Sequence, residues 1–291
     1  MTPAVTAKLA EKTAPTAELR GALSELRREI EILKRRERIR ETQLEHLRTE
    51  VQQARRLQRE LIQSPLPEIR GANVDVISHP AEGVSGDFYH VRRISAEELA
   101  LIVADATGHG IAAGLLSATV MGLLHAHRES RQAKLSDPAS VLEQLHQNLL
   151  QYHLSECEFV AAVYAVYNER TRVLRLARAG APRPILLRRA TAPRVIDSGG
   201  MPLGVDAGAC FTCAEMQLEA GDTVLLHTDG LEAMIARNAD NLSERMLLEW
   251  HIALNGQDIR DALQELISSA SPDADTPVES DDTTLLSLHI N

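Results

Sequence analysis

Four acidic sites in this chain share one local grammar. Leu101-Ile102-Val103-Ala104 is an apolar run that ends in Asp105 and then in Ala106-Thr107-Gly108-His109-Gly110. Val224-Leu225-Leu226-His227-Thr228 ends in the same way, in Asp229-Gly230. Asp87 follows Val84-Ser85-Gly86 and opens Phe88-Tyr89-His90, and Asp281-Asp282 precedes Thr283-Thr284-Leu285-Leu286. Short apolar runs bounded by turn residues predict buried strands, so each carboxylate is placed at a strand end. One carboxylate at the lip of a buried sheet is costly, and several together repel unless a cation sits among them. All-oxygen ligation with water favours Mg²⁺ or Mn²⁺ over Zn²⁺. Two such ions can share a water, lower its pKa and align it for in-line attack on a phosphate ester. Any one of these residues alone is what a turn or capping aspartate looks like; the repetition is what points to a cluster.

Other residues carry weaker signals. His109 has two readings, a proton donor to a leaving alcohol or a turn histidine bonded to backbone. Cys210-x-x-Cys213 opens a predicted strand, where the two side chains face opposite ways, and structural zinc usually needs four ligands. Gly199 to Gly204 reads as a loop rather than a nucleotide cradle, because no strand-glycine-helix order surrounds it.

The elements that must position the acids follow from periodicity. Strands are predicted at 73–79, 88–94, 99–104, 159–167, 173–177, 184–188, 211–218, 223–227 and 283–290. A helix from about Gly110 to His127 is apolar nearly all round, which predicts burial. Asp137-Pro138 supplies an N-cap and first-turn proline for a second helix through about Tyr152. Further helices are expected at 230–236, 243–252 and 258–268, with a polar stretch over 269–280. Strands in hairpin order with helices grouped between them favour stacked antiparallel sheets flanked by helices.

Upstream, Leu19, Leu23, Leu26, Ile30 and Leu33 begin a 3-4 spacing that Leu44, Leu47, Val51, Ala54 and Leu61 resume, with Glu37, Arg40 and Gln58 on the seam. That is the pattern of a coiled coil, a rod of roughly 64 Å that predicts a parallel homodimer through residues 19–61. The alternative is a single amphipathic helix folded on the core. The basic run Lys34-Arg35-Arg36 interrupts the heptads instead of preceding them, unlike a DNA-binding zipper. The expected organisation is a loose tail over 1–17, a coiled-coil and linker helix over 18–64, and a globular domain over 65–291.

At these residues the sequence resembles the sigma-factor-regulating serine phosphatases of bacteria, the stage II sporulation protein E/RsbU-like branch of the metal-dependent PPM phosphatases. The matching segments are Ser85-Gly86-Asp87-Phe88-Tyr89, Ala104 to Gly110, Gly199 to Gly204, Thr228 to Ala233 and Asp281 to Leu286, in the family's order. The resemblance implies an α+β fold, an α-β-β-α sandwich of antiparallel sheets flanked by helices, preceded by the long N-terminal helix. It implies that Asp87, Asp105 and Asp229 are catalytic and hold two Mn²⁺ or Mg²⁺ ions, with the Ala106 carbonyl assisting. Asp281 completes the set, while Asp282 acts through a water or replaces it; spacing leaves both open. It further implies hydrolysis of phosphoserine on an anti-anti-sigma (STAS-domain) protein and an upstream activating partner. Ala54-x-x-Leu57-Gln58 matches the family's linker segment, which nominates Leu57 and Leu61 for contact with the core. Two positions depart from the family: His90 stands where an acid is common, and Arg178-Ala179-Gly180-Ala181 replaces Asn-Ala-Gly-His. A catalytically inert binding module or a coiled-coil scaffold is the rival reading.

Composition bounds the rest. The 291 residues have a net charge of −10. Residues 1–64 hold 14 Lys/Arg against 10 Asp/Glu, while the remainder hold 17 against 31. An acidic globular part argues against non-specific nucleic-acid binding. Three cysteines suit a reducing cytosol. No apolar signal core opens the sequence, and the apolar stretch from Gly110 to Leu124 is too short to span a bilayer; a cytoplasmic protein without a membrane span is expected.

Overall fold

The computed structural model describes the backbone of residues 3–62, 65–80, 83–129, 135–153, 158–188, 191–231 and 281–291, with side chains omitted for 3–18, 62 and 127–129. The chain divides into two compact units, Met1–Gln52 and Gln53–Asn291.

The first unit is helical. Helix α1 spans Pro3–Ile62, so its final turns belong to the second unit. It begins well before Leu19, inside the stretch expected to be a loose tail; alanine is the strongest helix former and proline suits a first helical position. Leu19, Leu23, Leu26, Ile30, Leu33, Leu44 and Leu47 are all exposed on it.

The second unit is a pair of five-stranded sheets. Sheet A has the order β1 (Ala72–His79), β10 (Thr283–Ile290), β9 (Thr223–His227), β6 (Ile185–Leu187), β7 (Arg194–Val195). Sheet B has the order β2 (Asp87–Arg93), β3 (Glu98–Ala106), β4 (Val160–Asn168), β5 (Val173–Ala179), β8 (Cys213–Gln217). Every pairing within the two sheets is antiparallel. The two-residue β7 has no counterpart among the expected strands, being too short for an alternation to show.

Strand alternation builds two cores from one sheet. Leu99, Leu101 and Val103 of β3 face sheet A and pack with Val224, Leu226, Leu286 and Leu288. Ala100, Ile102 and Ala104 face the other way, onto α2 (Ile111–Glu129) and α3 (Pro138–Gln151). The β-β-α layering of the expected sandwich is therefore present; the helix expected at 230–236 is seen in its first turn, 229–231, while its remainder, the helices expected at 243–252 and 258–268 and the 269–280 stretch lie outside the described residues.

Two local expectations are corrected. α2 is not buried all round, because Ile111 and Leu115 are 52% and 65% exposed. Ala113, Gly114 and Ser117 are buried on its inner face, and a leucine at i+4 from an isoleucine lies on the same outer face. Asp137 precedes α3 with extended geometry but makes no side-chain cap. Its carboxylate accepts a 2.6 Å bond from the Ser140 hydroxyl instead.

Candidate active site

Register brings the acids together. β2 and β3 pair with Asp87 directly opposite Asp105. Both follow the parity of Tyr89 and Val103, so both lie on the face of sheet B that looks toward sheet A. Across the sandwich, β9 and β10 end side by side: the Thr228 amide donates to the Thr284 carbonyl at 3.0 Å, and the Thr284 amide to the Thr228 hydroxyl oxygen at 2.9 Å. That places Asp229 beside Asp281 and Asp282. Two hydrogen bonds then tie the sheets. The Gly86 amide donates to Asp282 Oδ2 at 2.8 Å, and the Thr228 hydroxyl donates to Asp87 Oδ2 at 2.8 Å.

Two glycines permit this approach. A Cβ on Gly86 would stand 2.6 Å from the Ala106 carbonyl oxygen and 3.2 Å from Asp105 Oδ1. A Cβ on Gly230 would stand 2.0 Å from the Asp282 carbonyl oxygen. Both contacts involve backbone, which cannot swing aside, so only glycine fits. The Ser117 hydroxyl of α2 donates to the Gly86 carbonyl, fixing the turn that carries Asp87.

The electrostatics are those of crowded, dehydrated carboxylates. Burial, followed by the charges of Asp87, Asp229, Asp281 and Asp282, pushes Asp105 far above the ordinary carboxylate range. Asp87 is also raised, first by burial, with the Thr228 hydrogen bond opposing and Asp282 and Asp229 adding to the rise. Its Oδ1 is buried with no hydrogen-bond partner among the described residues; the Thr284 hydroxyl nearby directs its proton to Ser78 Oγ at 3.4 Å. Burial raises Asp281 too, with Asp229 and Asp282 adding to it, while the Asp282 amide and His109 favour its charged form.

Asp105, Asp229 and Asp281 line a cleft of about 510 Å³, together with Thr107, Gly108, Gly180, Pro202 and His227. Among the described residues the carboxylates surround a space; no three His, Cys, Asp or Glu side chains close on a single ion-sized centre. All five expected acids and the Ala106 carbonyl thus meet at one end of the sandwich, between the sheets. Asp281 and Asp282 differ: Asp282 is engaged by the Gly86 amide, whereas Asp281 faces the cleft. His109 is exposed in the loop that Gly108 and Gly110 bend at φ 87° and 74°.

Of the two departures, His90 lies off this cluster, whereas Gly180 and Ala181 of the second line the cleft. His90 points to the helix layer, ring to ring with His125 at 5.4 Å. Arg178 donates to the carbonyls of Ser198 and Ala181 at 2.8 and 2.9 Å, bracing the loops on the far wall of the cleft. Cys210 and Cys213 are exposed free thiols.

Sequence reasoning missed two contributors. Thr228 orients Asp87, a role visible only once the β9–β10 register is known. Gln58 anchors the end of α1, its side-chain amide donating to the Ser85 carbonyl at 2.6 Å and accepting from the Ser85 amide at 3.1 Å. Leu57 and Leu61, nominated for that contact, are 60% and 64% exposed; the helix docks through the next residue round, whose amide can satisfy the backbone of the strand entry.

The comparisons agree with this geometry. The family model described as stage II sporulation protein E (SpoIIE) matches residues 95–291. The phosphoserine phosphatase RsbU of Bacillus subtilis (strain 168) is 24% identical over 218 residues, covering 74% of this chain and 63% of its own length. The chain therefore spans less than two thirds of that relative. Among solved structures, the SiaA-PP2C domain of Pseudomonas aeruginosa superposes with a TM-score of 0.71 at 19% identity, covering 85% of this chain and 98% of that one. RsbX in complex with magnesium superposes at 0.57 and 19% identity, covering 79% of this chain and all of that one. These likenesses establish a PP2C fold. With its matching segments in order and its acids gathered at one end of two stacked sheets, the chain belongs to the stage II sporulation protein E (SpoIIE) family.

Proposed function

We propose that this protein is a metal-dependent protein serine/threonine phosphatase that hydrolyses phosphoserine on an anti-anti-sigma (STAS-domain) protein. The observation that carries the reading is the buried group of Asp87, Asp105, Asp229, Asp281 and Asp282, whose mutual repulsion a divalent cation would relieve. The donor set is all oxygen, Asp87 Oδ1 is buried without a partner, and the Ala106 carbonyl stands beside them. Those features fit Mg²⁺ or Mn²⁺, which keep several waters and take only one or two carboxylates each. Asp87, Asp105, Asp229, Asp281 and the Ala106 carbonyl would hold two ions, with Asp282 acting through its grip on Gly86. When bound, such ions lower the pKa of a water and offset charge on the transferring phosphoryl group.

The chain's own groups do the rest. Thr228 holds Asp87 in one orientation. Gly108 leaves the cleft floor open to a phosphorylated side chain, and Pro202 and Gly180 form the opposite wall. His109 at the rim is a turn residue in this reading, and its contribution to protonating the leaving serine is small. No helix among the described residues is long and apolar enough to cross a membrane, which suits action on a cytoplasmic protein. The exposed leucine seam of α1 supports dimerisation through residues 19–61 and, with the Gln58 contact, a route for an upstream activating partner.

Phosphate release from a phosphoserine-bearing STAS-domain protein, with Mn²⁺ or Mg²⁺ supplied, tests the activity. Turnover that stops with EDTA supports it, and none under any metal condition returns the reading to an inert binding module. For the dimer, sedimentation of the wild type should give twice the monomer mass. Leu26→Asp with Leu33→Asp should give a monomer; a monomeric wild type at micromolar concentration rejects the coiled coil.

A further inference from the structure

A second recess lies beside the carboxylate cluster and is built from opposite charge. It encloses about 200 Å³ between the final turns of α1 and the entry to β2, lined by Arg55, Gln58, Arg59, Ser78, Ser85 and Asp87 with Pro80 and Gly83. Every one of these residues belongs to the compact unit Gln53–Asn291. Arg55 and Arg59 are four apart, so they share one face of the helix. Gln58 pins that helix to the Ser85 backbone, which fixes the turn that carries the half-buried Arg55 and the exposed Arg59.

The donors of this recess are largely unspent. Arg55 Nε is buried without a hydrogen-bond partner among the described residues. A buried guanidinium N–H left unpaired is costly, because a charged donor loses its hydration without replacement. The Ser85 hydroxyl oxygen accepts from the Asp87 amide at 3.2 Å, and that of Ser78 from the Thr284 hydroxyl at 3.4 Å. Both hydroxyls thus keep a proton to donate. Against these donors stands one carboxylate, Asp87, whose Oδ2 is occupied by Thr228. Among the described lining residues two guanidiniums stand against one carboxylate, a positive balance, and the volume holds several waters.

The geometry points to an oxyanion subsite that takes a tetrahedral dianion, inorganic phosphate or sulfate, between Arg55, Arg59, Ser78 and Ser85. A tetrahedral anion accepts from several directions at once, which suits two guanidinium forks and two hydroxyls set around a pocket. Asp87 lines this recess, whereas Asp105, Asp229 and Asp281 line the cleft, and the two share no lining residue among those described. The assignment stands whether or not the acidic cluster binds metal.

Calorimetric titration of the full-length protein with sodium phosphate tests it, run once with Mg²⁺ and once with EDTA. Phosphate attracted only by metal at the acidic cluster disappears in EDTA, whereas the subsite persists in both. Saturable binding in EDTA is expected, weakened about tenfold or more in Arg55→Gln/Arg59→Gln and partly restored in Arg55→Lys/Arg59→Lys. Asp105→Asn should retain it. Circular dichroism of each variant confirms folding, and sulfate should compete with phosphate. No saturable binding in EDTA, or binding equal in the wild type and the glutamine pair, overturns the subsite and leaves the catalytic reading untouched.

Discussion

Strand β2 presents an ionisable side chain to each of its faces, and the two are buried on different terms. Asp87 looks into the space between the sheets, among four other acids; His90, three residues on, looks into the helix layer beside His125 and near Arg92. Burial, aided by His125 and Arg92, pushes His90 down to about 4, so it stays neutral at ordinary pH. Neither of its ring nitrogens has a partner among the described residues. Like charge therefore accumulates on one face and is avoided on the other. A protein keeps mutually repelling acids in one place when something bound there repays the repulsion. The His90 face asks for no ligand and costs only unsatisfied nitrogens.

The sharpest break in that contrast is Asp105→Asn. It should lower metal-dependent phosphate release by about a thousandfold or more, of order 4 kcal/mol in the barrier. The same change should raise the stability of the metal-free protein at pH 8 by about 1–2 kcal/mol, because one repelling charge is gone. Urea unfolding in EDTA reads the second effect. A variant that is both inactive and less stable would mean that Asp105 serves folding, not function.

Next in size are the glycines. Gly230→Ala drives a Cβ into the Asp282 carbonyl and should cost about 3 kcal/mol of stability along with metal binding. Gly122→Ala, in open space on α2, should be neutral or slightly stabilising. Thermal unfolding of the pair checks both.

The pH dependence of stability has opposite signs on the two faces. The folded-state pKa values of Asp87 and Asp105 are raised, so without metal the folded protein binds more protons than the unfolded chain between the ordinary carboxylate range and neutrality. Metal-free stability from this face should fall as pH rises through that window, and Mn²⁺ should reverse the trend. The pKa of His90 is lowered from 6.5 to about 4, so the unfolded chain takes up its proton first. Its contribution is fully present above about 6.5 and is lost as pH falls toward 4, by about 3 kcal/mol. His90→Leu should flatten the acid limb alone; an unchanged limb in unfolding scans would show that His90 is hydrated. Smallest is Thr228→Val, which removes one hydrogen bond from Asp87 and should weaken Mn²⁺ binding about tenfold.

The acids were legible in the sequence because each stands at one end of an apolar strand, and a strand end is a local property. The partners of those acids were not. Thr228 meets Asp87 across 141 residues of chain and Gly86 meets Asp282 across 196, and periodicity carries no information about register between sheets. α2 misled for a related reason: its composition is largely apolar, yet Ile111 and Leu115 face outward where no part of the described fold covers them. In α1 the seam was legible as spacing, but Gln58, a break in that seam, proved to be the docking residue. The short β7 and the recess lined by Arg55 and Arg59 depend on tertiary placement and left no trace in the pattern.

Calorimetric titration of the full-length protein with Mn²⁺, wild type against Asp105→Asn, tests most directly whether the gathered carboxylates grip divalent ions. Saturable binding of two ions per chain in the wild type, with loss of at least one in the variant, is the predicted result. No saturable binding in the wild type, or equal binding in the variant, would contradict the account.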